Sequence, residues 1–564
     1  MGPSDSLHRR VRRGNVERVR EWLDAHPNED VNAWDSRGYT PLMYAVVSSR
    51  ADVMMIRLLL EQGADVHLRS RDHLDETVVS LCLRRGDFQK LTVLLDAGAD
   101  LHYRRESGYN AAVDAALGTL EFLNLVISHG VDLNAVSQYR ESALSLSSRE
   151  GCFDRVLLLL DSGADERLLE WTPLIRAVVL NNIEEVRRVL DGKPDLEARD
   201  RWSRTAYLTA LQSGDLAKAQ LLLDHGADPN ARGVGGRPAL FYANHIPTIK
   251  WLLERGEPVD EKNDYGETPL MRAVEHDWTE GVDELLRAGA NANARGDSSS
   301  AMGSASTRDI ATLLLQAGGD VAELSYAGRR SVLGLAAHSD DLLLTASLEE
   351  FRSAWNPRFG AGNPEPMNEP FWESMIRSGV SAYEARMIYG GGEGDTPVWC
   401  AQRFGQSMTF LPDGRIIQIG GEHEDFYDED FCIYNDVFVH HPDGRIDILG
   451  YPREVFPPTD FHTATLIGRH MYVIGSLGYE GERQHGKTQV FQLDIETLRL
   501  ERLELAGEAP GWISRHRAEQ TGPHEIRLTG GFVVTCREGK DDGADNNRSF
   551  VLDLARGLWR TNTA

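Results

Sequence analysis

At 564 residues the chain is too long for one hydrophobic core, so two or more domains are expected. Its 41% hydrophobic and 26% charged residues are those of an ordinary globular protein. No apolar run approaches the roughly 18 residues that a membrane span needs, and Met1 to Arg10 lack the apolar centre of a signal peptide. A formal charge of −27 repels phosphate and disfavours a nucleic-acid track. Cys82, Cys152, Cys400, Cys432 and Cys536 lie far apart, which argues for reduced thiols in a cytoplasmic setting and against a structural zinc site. Arginine outnumbers lysine 53 to 7, a bias that fits G+C-rich bacterial coding as readily as any chemistry.

Residues 5–35 read as an opening helix pair, with Gly14-Asn15-Val16 between the helices and Val19, Trp22 and Leu23 as the buried stripe. Four arginines on its first helix (Arg9, Arg10, Arg12, Arg13) suit a capping unit with one wet face. The next stretch sets the pattern. Thr40-Pro41-Leu42 opens a helix, because proline is tolerated in the first turn where its missing N–H costs nothing. Leu58-Leu59-Leu60 is the buried stripe of a second helix, and Gly63 falls where that helix must stop, often in a left-handed backbone. Equivalent glycines follow at 98, 130, 163, 192, 226, 256, 289 and 318, in steps of 29 to 35 residues.

This period, with Thr-Pro-Leu at one helix start and Gly-Ala-Asp after the next, resembles the ankyrin repeat. The resemblance implies about ten helix pairs stacked into a solenoid over residues 1–355, since one pair cannot bury its own apolar face. The sequence departs from the family at the residue after Thr-Pro-Leu. Met43, Ile175 and Met271 stand where the family usually carries histidine, so an apolar side chain is expected to pack there.

Residues 356–396 form a connector rich in proline and glycine. Within it Phe371, Trp372, Met375, Ile376, Val380, Tyr383 and Met387 recur at helical spacing, which predicts one amphipathic helix over about 371–389. From 397 the hydrophobic period becomes two. Strands closing on Gly420-Gly421, Gly475 and Gly530-Gly531 stand 55 residues apart, each followed by a second strand, at 435–439, 489–494 and 549–553. The pattern resembles the kelch repeat and implies three blades over 397–564. The expected fold is therefore multidomain: an α-helical ankyrin solenoid followed by an all-β kelch-like partial propeller. Three blades do not close a ring. Extra strands near Val398-Trp399-Cys400, docking on the 371–389 helix, or pairing with a second copy would each cover the open edges; helix docking is preferred.

Several motifs have plain alternatives. Residues 481–488, Gly-Glu-Arg-Gln-His-Gly-Lys-Thr, spell a phosphate-loop pattern, but an alternating stretch follows where that chemistry needs a helix. Residues 422–430 pack six carboxylates into nine positions, read as a solvated loop before a cation site, and 541–546 is read the same way. Histidines 440, 441, 462, 485 and 516 form no evident ligand ring. No nucleophile–base constellation emerges, so no catalytic residue, metal or cofactor is assigned.

The informative feature is the row of hairpin tips between helix pairs. It carries Trp34, Arg37, Tyr39, Arg104, Tyr109, Tyr139, Arg140, Trp171, Arg201, Trp202, Arg204, Arg232, Arg237 and Tyr265. Tip side chains are expected to be mostly exposed, and tryptophan, tyrosine and arginine dominate binding energy at protein interfaces. The competing reading is that the rings stack on the neighbouring hairpin. The reading taken is a cytoplasmic, non-catalytic protein–protein interaction module whose partner presents an acidic patch, of the kind used by bacterial inhibitors or immunity partners. The alternatives are an enzyme or metal-binding protein with its site in the kelch-like region, and an assembly module, including a homodimer, that uses the open blade edges.

Overall fold

The computed structural model describes residues 7–12, 14–48, 50–335, 345–389, 397–423, 431–537 and 539–562. The chain forms two compact units, Met1–Val332 and Leu333–Ala564. Residues 13, 336–337, 390–394 and 424–430, which entered the sequence reading, lie outside the described residues. No described helix is long and apolar enough to cross a membrane.

The described part of the first unit contains ten successive helix pairs, from Leu7–Arg12 with Val16–Ala25 to Ala301–Ser304 with Arg308–Gln316. Local chemistry starts and stops them. Thr40, Thr172 and Thr268 each accept the amide three residues on while a proline holds the first helical position. Met43, Ile175 and Met271 behind those caps are fully buried, so apolar packing does replace the family's histidine. Eight of the nine stop glycines are left-handed; at Gly192 the left-handed residue is instead Lys193, with φ 52°. A Cβ added at Gly226 would meet open space, so only its φ of 93° calls for glycine. Gly226→Ala is accordingly expected to cost about 1–2 kcal/mol through backbone strain alone, measured by urea unfolding.

The eighth pair breaks the pattern. Its first element is a single 3₁₀ turn, Ala239–Tyr242, before the helix Ile246–Leu253. Gly233, Gly235 and Gly236 precede it and Pro238 fixes the backbone beside them, so no longer helix starts.

In the second unit three larger sheets follow one another. Two smaller ones join Glu422–His423 with Cys432–Ile433, and Trp512–Ser514 with Phe532–Arg537 and Lys540–Asp545. The stretch 541–546 read as a loop is therefore mostly an edge strand, paired to Phe532–Arg537. The first of the larger sheets runs Ser407–Phe410, Ile416–Ile419, Val437–His440, Ile446–Gly450. The second runs Thr463–Ile467, His470–Ile474, Val490–Asp494, Leu500–Arg502, and the third Arg517–Gly522, Glu525–Thr529, Ser549–Asp553, Leu558–Asn562. The strands expected to close on glycine are the second of each sheet. Apolar clusters fill the space between first and second sheets (Ile417, Val439, Val473, Phe491) and between second and third (Tyr472, Ile474, Leu528, Phe550).

The single helix expected over 371–389 is two helices, Pro370–Ser378 and Ala382–Tyr389, because Gly379 ends the first in a left-handed conformation, φ 67°. Phe371, Trp372, Met375 and Ile376 pack with Phe438, Ile446 and Ile448 of the first sheet, and Trp372 stacks on Trp399 at 4.7 Å. The outermost strand of that sheet is paired by Glu365–Pro366, and Asn368 bonds both ways with its backbone. Asn363 does the same for Leu500 in the second sheet, and Ala506–Gly507 lies parallel to Leu558–Trp559 in the third. The third sheet turns Glu519, Arg527 and Arg560 to its outer face, with Arg560 ion-paired to Glu525. A charged outer face does not require another sheet to cover it.

Candidate functional site

The hairpins of the first unit stand in a row, and long side chains run along it. Trp34 Nε1 donates to the Arg69 carbonyl (3.1 Å), Arg69 to the Arg104 carbonyl (3.0 Å) and Arg104 to the Val136 carbonyl (3.0 Å). Further on Arg199 donates to the Arg232 carbonyl, Arg232 to the Lys262 carbonyl (3.1 Å) and Lys262 to the Arg295 carbonyl (3.0 Å). Each donor sits one repeat before its acceptor. A carbonyl at a hairpin edge has no ladder partner, and a long donor side chain from the previous hairpin supplies one.

Most of the nominated tip residues are therefore used inside the stack. Trp34, Arg104 and Arg232 belong to the ladder, and Arg71 lies 3.6 Å over the Trp34 ring. Tyr39 and Tyr109 donate to Glu76 and Glu141 of the following repeats. Trp171 is half-buried against Phe153, and Trp202 donates to the Ser145 carbonyl (3.2 Å) with Arg149 and Arg201 over its ring. The expectation of mostly exposed tips is corrected in part: six of the fourteen are exposed, seven are half-buried and Arg204 is buried, because long side chains also bond the next hairpin. Arg37, Arg104, Tyr139, Arg140, Arg232 and Tyr265 are exposed, with Tyr139 at 61% and Tyr265 at 57%, although Arg104 and Arg232 still bond the next hairpin. Arg140 pairs with Glu170, and Tyr139 leans on Tyr109 at 6.2 Å.

Arg204 is the sharpest correction. Only 1% exposed, it donates to Asp200 (2.6 and 2.9 Å), the Ser148 carbonyl (2.5 Å) and hydroxyl (2.7 Å), and Gln212 (2.6 Å). Ser148 lies on the fifth pair and Arg204 opens the seventh, so the guanidinium clasps two pairs across the sixth. Gln212 and Asn244 reach the same helix end, donating to the carbonyls of Arg149 and Glu150.

Beside this clasp, where the eighth pair has lost its first helix, lies a cavity of about 280 Å³. Leu240, Phe241, Ile249 and Leu285 form its apolar part; Glu150, Asn244, Arg272, His276 and Trp278 form its polar part. Sequence reasoning missed Arg272, His276 and Trp278. The signal that could have found them is the Gly/Pro run at 233–238, in the stretch where every other unit opens a helix.

Residues 37–71 match the family described as "Ankyrin repeat", and residues 144–233 and 237–324 match "Ankyrin repeats (3 copies)". The helical unit is built of ankyrin repeats. The chain is similar to "Ankyrin repeat protein nuc-2" of Neurospora crassa, 28% identical over 187 residues, covering 32% of this chain and 18% of that protein. It is also similar to "B-cell lymphoma 3 protein homolog" of Mus musculus, 27% identical over 273 residues, covering 47% of each. The chain thus spans less than half the length of either relative. Among solved structures, the ankyrin repeat domain of Bcl-3 aligns at 22% identity and a TM-score of 0.28, covering 45% of this chain and all of that one.

Around the ankyrin cavity the charges are set by burial. Desolvation, then the Arg237 charge, pushes the Arg272 guanidinium below its usual range. Desolvation, then Arg272, lowers His276, so its imidazole is neutral at pH 7. Burial raises the Cys152 thiol. Among the described residues no hydrogen bond or ion pair engages the side chains of Arg237 or Arg272.

The second unit offers less. His485 and Arg483 of the phosphate-loop pattern both bond Asp541 (2.7 and 2.6 Å), and the strand Val490–Asp494 follows where a helix N-terminus would be needed. His462 bonds Ser407 (2.8 Å) and His516 bonds Thr463 (2.9 Å), each tying one sheet's first strand to the preceding one. No group of three or more metal-ligating side chains occurs among the described residues.

Proposed function

We propose that this protein is a non-catalytic recognition protein whose ankyrin unit takes a protein partner on its hairpin side, and that its three larger sheets are kelch-like blades forming a partial propeller. What carries the reading is the division of labour along the hairpins. The ladder and the clasp hold the row rigid, while Arg37, Arg104, Tyr139, Arg140, Arg232 and Tyr265 keep exposed surface along it. A rigid, pre-ordered edge presents aromatic and basic groups at little entropic cost on binding. Ankyrin repeats in general serve binding and not catalysis, which supports a non-catalytic role for the helical unit.

The outer strands of the first and third sheets are paired by Glu365–Pro366 and Ala506–Gly507, which argues against a second copy adding at those two edges. The triple variant Tyr139→Ala, Arg140→Ala, Tyr265→Ala is expected to melt within about 2 °C of the parent, as surface changes usually do. It should capture the partner from source lysate at least tenfold less well. Undiminished capture, quantified by mass spectrometry against the parent, would remove the hairpin edge as the interface.

A further inference from the structure

The cavity at the eighth ankyrin repeat differs from the hairpin edge in being concave and balanced in charge. Its floor is apolar and closed to solvent: Leu240, Phe241, Ile249 and Leu285 are each no more than 5% exposed. Its polar members, Glu150, Asn244, Arg272 and His276, keep partial exposure and so stand toward the mouth. With His276 neutral, this rim carries one negative and one positive charge, Glu150 and Arg272. Glu150 is close enough to favour the Arg272 charge, as Glu275 also is, yet among the described residues no ion pair joins Glu150 to Arg272, so the two stand more than 4 Å apart. Glu150 takes Arg149 Nε on Oε1 at 2.7 Å, which leaves Oε2 for a ligand. The Asn244 amide nitrogen donates to the Glu150 carbonyl at 3.4 Å, so its amide oxygen is a further acceptor on that side.

We propose that this cavity binds a free α-amino acid with a large apolar side chain: its carboxylate on Arg272, its ammonium on Glu150 and the Asn244 amide oxygen, its side chain on Leu240, Phe241, Ile249 and Leu285. Charge complementarity selects the class. A simple carboxylic acid would satisfy Arg272 but set a like charge beside Glu150, and a simple amine would do the reverse. An α-amino acid carries both charges on one carbon, next to an apolar body that the floor can cover. Size narrows the class further. An apolar cavity of about 150 Å³ accepts benzene, so at the same packing 280 Å³ holds a ligand of about eleven heavy atoms. Leucine, isoleucine, methionine and phenylalanine are near that size; glycine and alanine leave the floor uncovered, and tryptophan is too large. One wall is set before a ligand arrives, since the Trp278 ring lies over Gly281, where a Cβ would collide with it.

The test titrates the full-length protein with each free amino acid up to millimolar concentration at neutral pH, by isothermal titration calorimetry. One of leucine, isoleucine, methionine and phenylalanine should bind most tightly, at one site per chain, while glycine, aspartate and lysine give no binding heat. The N-acetyl derivative and the carboxamide of that tightest ligand, each lacking one charge, should bind at least tenfold more weakly. Glu150→Gln and Arg272→Gln should each weaken the amino acid at least tenfold while melting within about 2 °C of the parent. The carboxamide should bind Arg272→Gln as well as it binds the parent, because the charge that Arg272 recognises is already gone. No binding by any of the four large apolar amino acids, equal binding of either derivative, or undiminished binding by either rim variant would overturn the site. The lysate capture by the hairpin variants is read separately, so loss of this site leaves the hairpin interface standing, and loss of that interface leaves this site standing.

Discussion

Replacing Arg204 by alanine will destabilise the ankyrin unit by about 3–5 kcal/mol, the usual cost of removing one partner from a buried ion pair. Asp200 would be left with a fully buried carboxylate, and the carbonyl and hydroxyl of Ser148 and the Gln212 amide oxygen would lose their donor. The loss is worse than that of a surface pair because the Asp200 carboxylate stays buried without its counter-charge. Arg204→Lys should recover less than half of it, since a single ammonium cannot reach Asp200, Ser148 and Gln212 from one position. Urea unfolding followed by far-UV circular dichroism, which reports the helical unit, measures both variants. If Arg204→Ala costs under about 1 kcal/mol, comparable with a surface substitution, the clasp across the sixth pair is not holding the stack.

The second large effect is acid lability of the sheet unit. His462 and His516 are buried with one ring nitrogen bonded to a hydroxyl and the other without a partner. Burial lowers them to about 3 and about 4. Their pKa is depressed on folding, so the neutral form is the folded one. The stability they contribute is complete above the unfolded value near 6.5 and falls as pH drops from there toward 4. Between pH 7 and pH 5 each should remove about 2 kcal/mol, or about 4 kcal/mol together. Gln406 occupies the corresponding place in the first sheet and bonds the Gly420 carbonyl, so glutamine is the natural neutral substitute. Burial also lowers His440 of the first sheet to about 4, so each of His462→Gln and His516→Gln should abolish about a third of the pH dependence, read by tryptophan fluorescence during urea unfolding at both pH values. An unfolding midpoint that does not shift between pH 7 and pH 5 would show that these imidazoles are not kept neutral by burial.

Much of the helical unit was legible in the chain because its rules are local. A threonine caps three amides on, a proline fits the first turn, and a glycine accepts the left-handed stop, whatever lies around them. The second strand of each sheet was legible for the same reason, since alternation and a closing glycine need no distant partner. The break at Gly379 escaped because the apolar spacing continues through it, and periodicity alone does not register one left-handed residue.

The fate of the tip residues was not legible. Arg140 and Arg204 look alike in sequence, each just after an aromatic or polar hairpin residue. One pairs at the surface with Glu170 while the other is sealed against Ser148, 56 residues away. Which of them is buried depends on where the fifth helix pair comes to lie against the seventh. The cavity likewise exists only because one shortened element leaves space that its neighbours do not fill.

The sequence by itself determined the repeat, its period and its caps, because these follow from the backbone preferences of residues a few positions apart. The tertiary structure alone decided which arginines are sealed into the stack, as Arg204 is, and which stay at its surface, as Arg140 does. A guanidinium's role depends on what long-range packing places within about 3 Å of it, and no short stretch of chain carries that information.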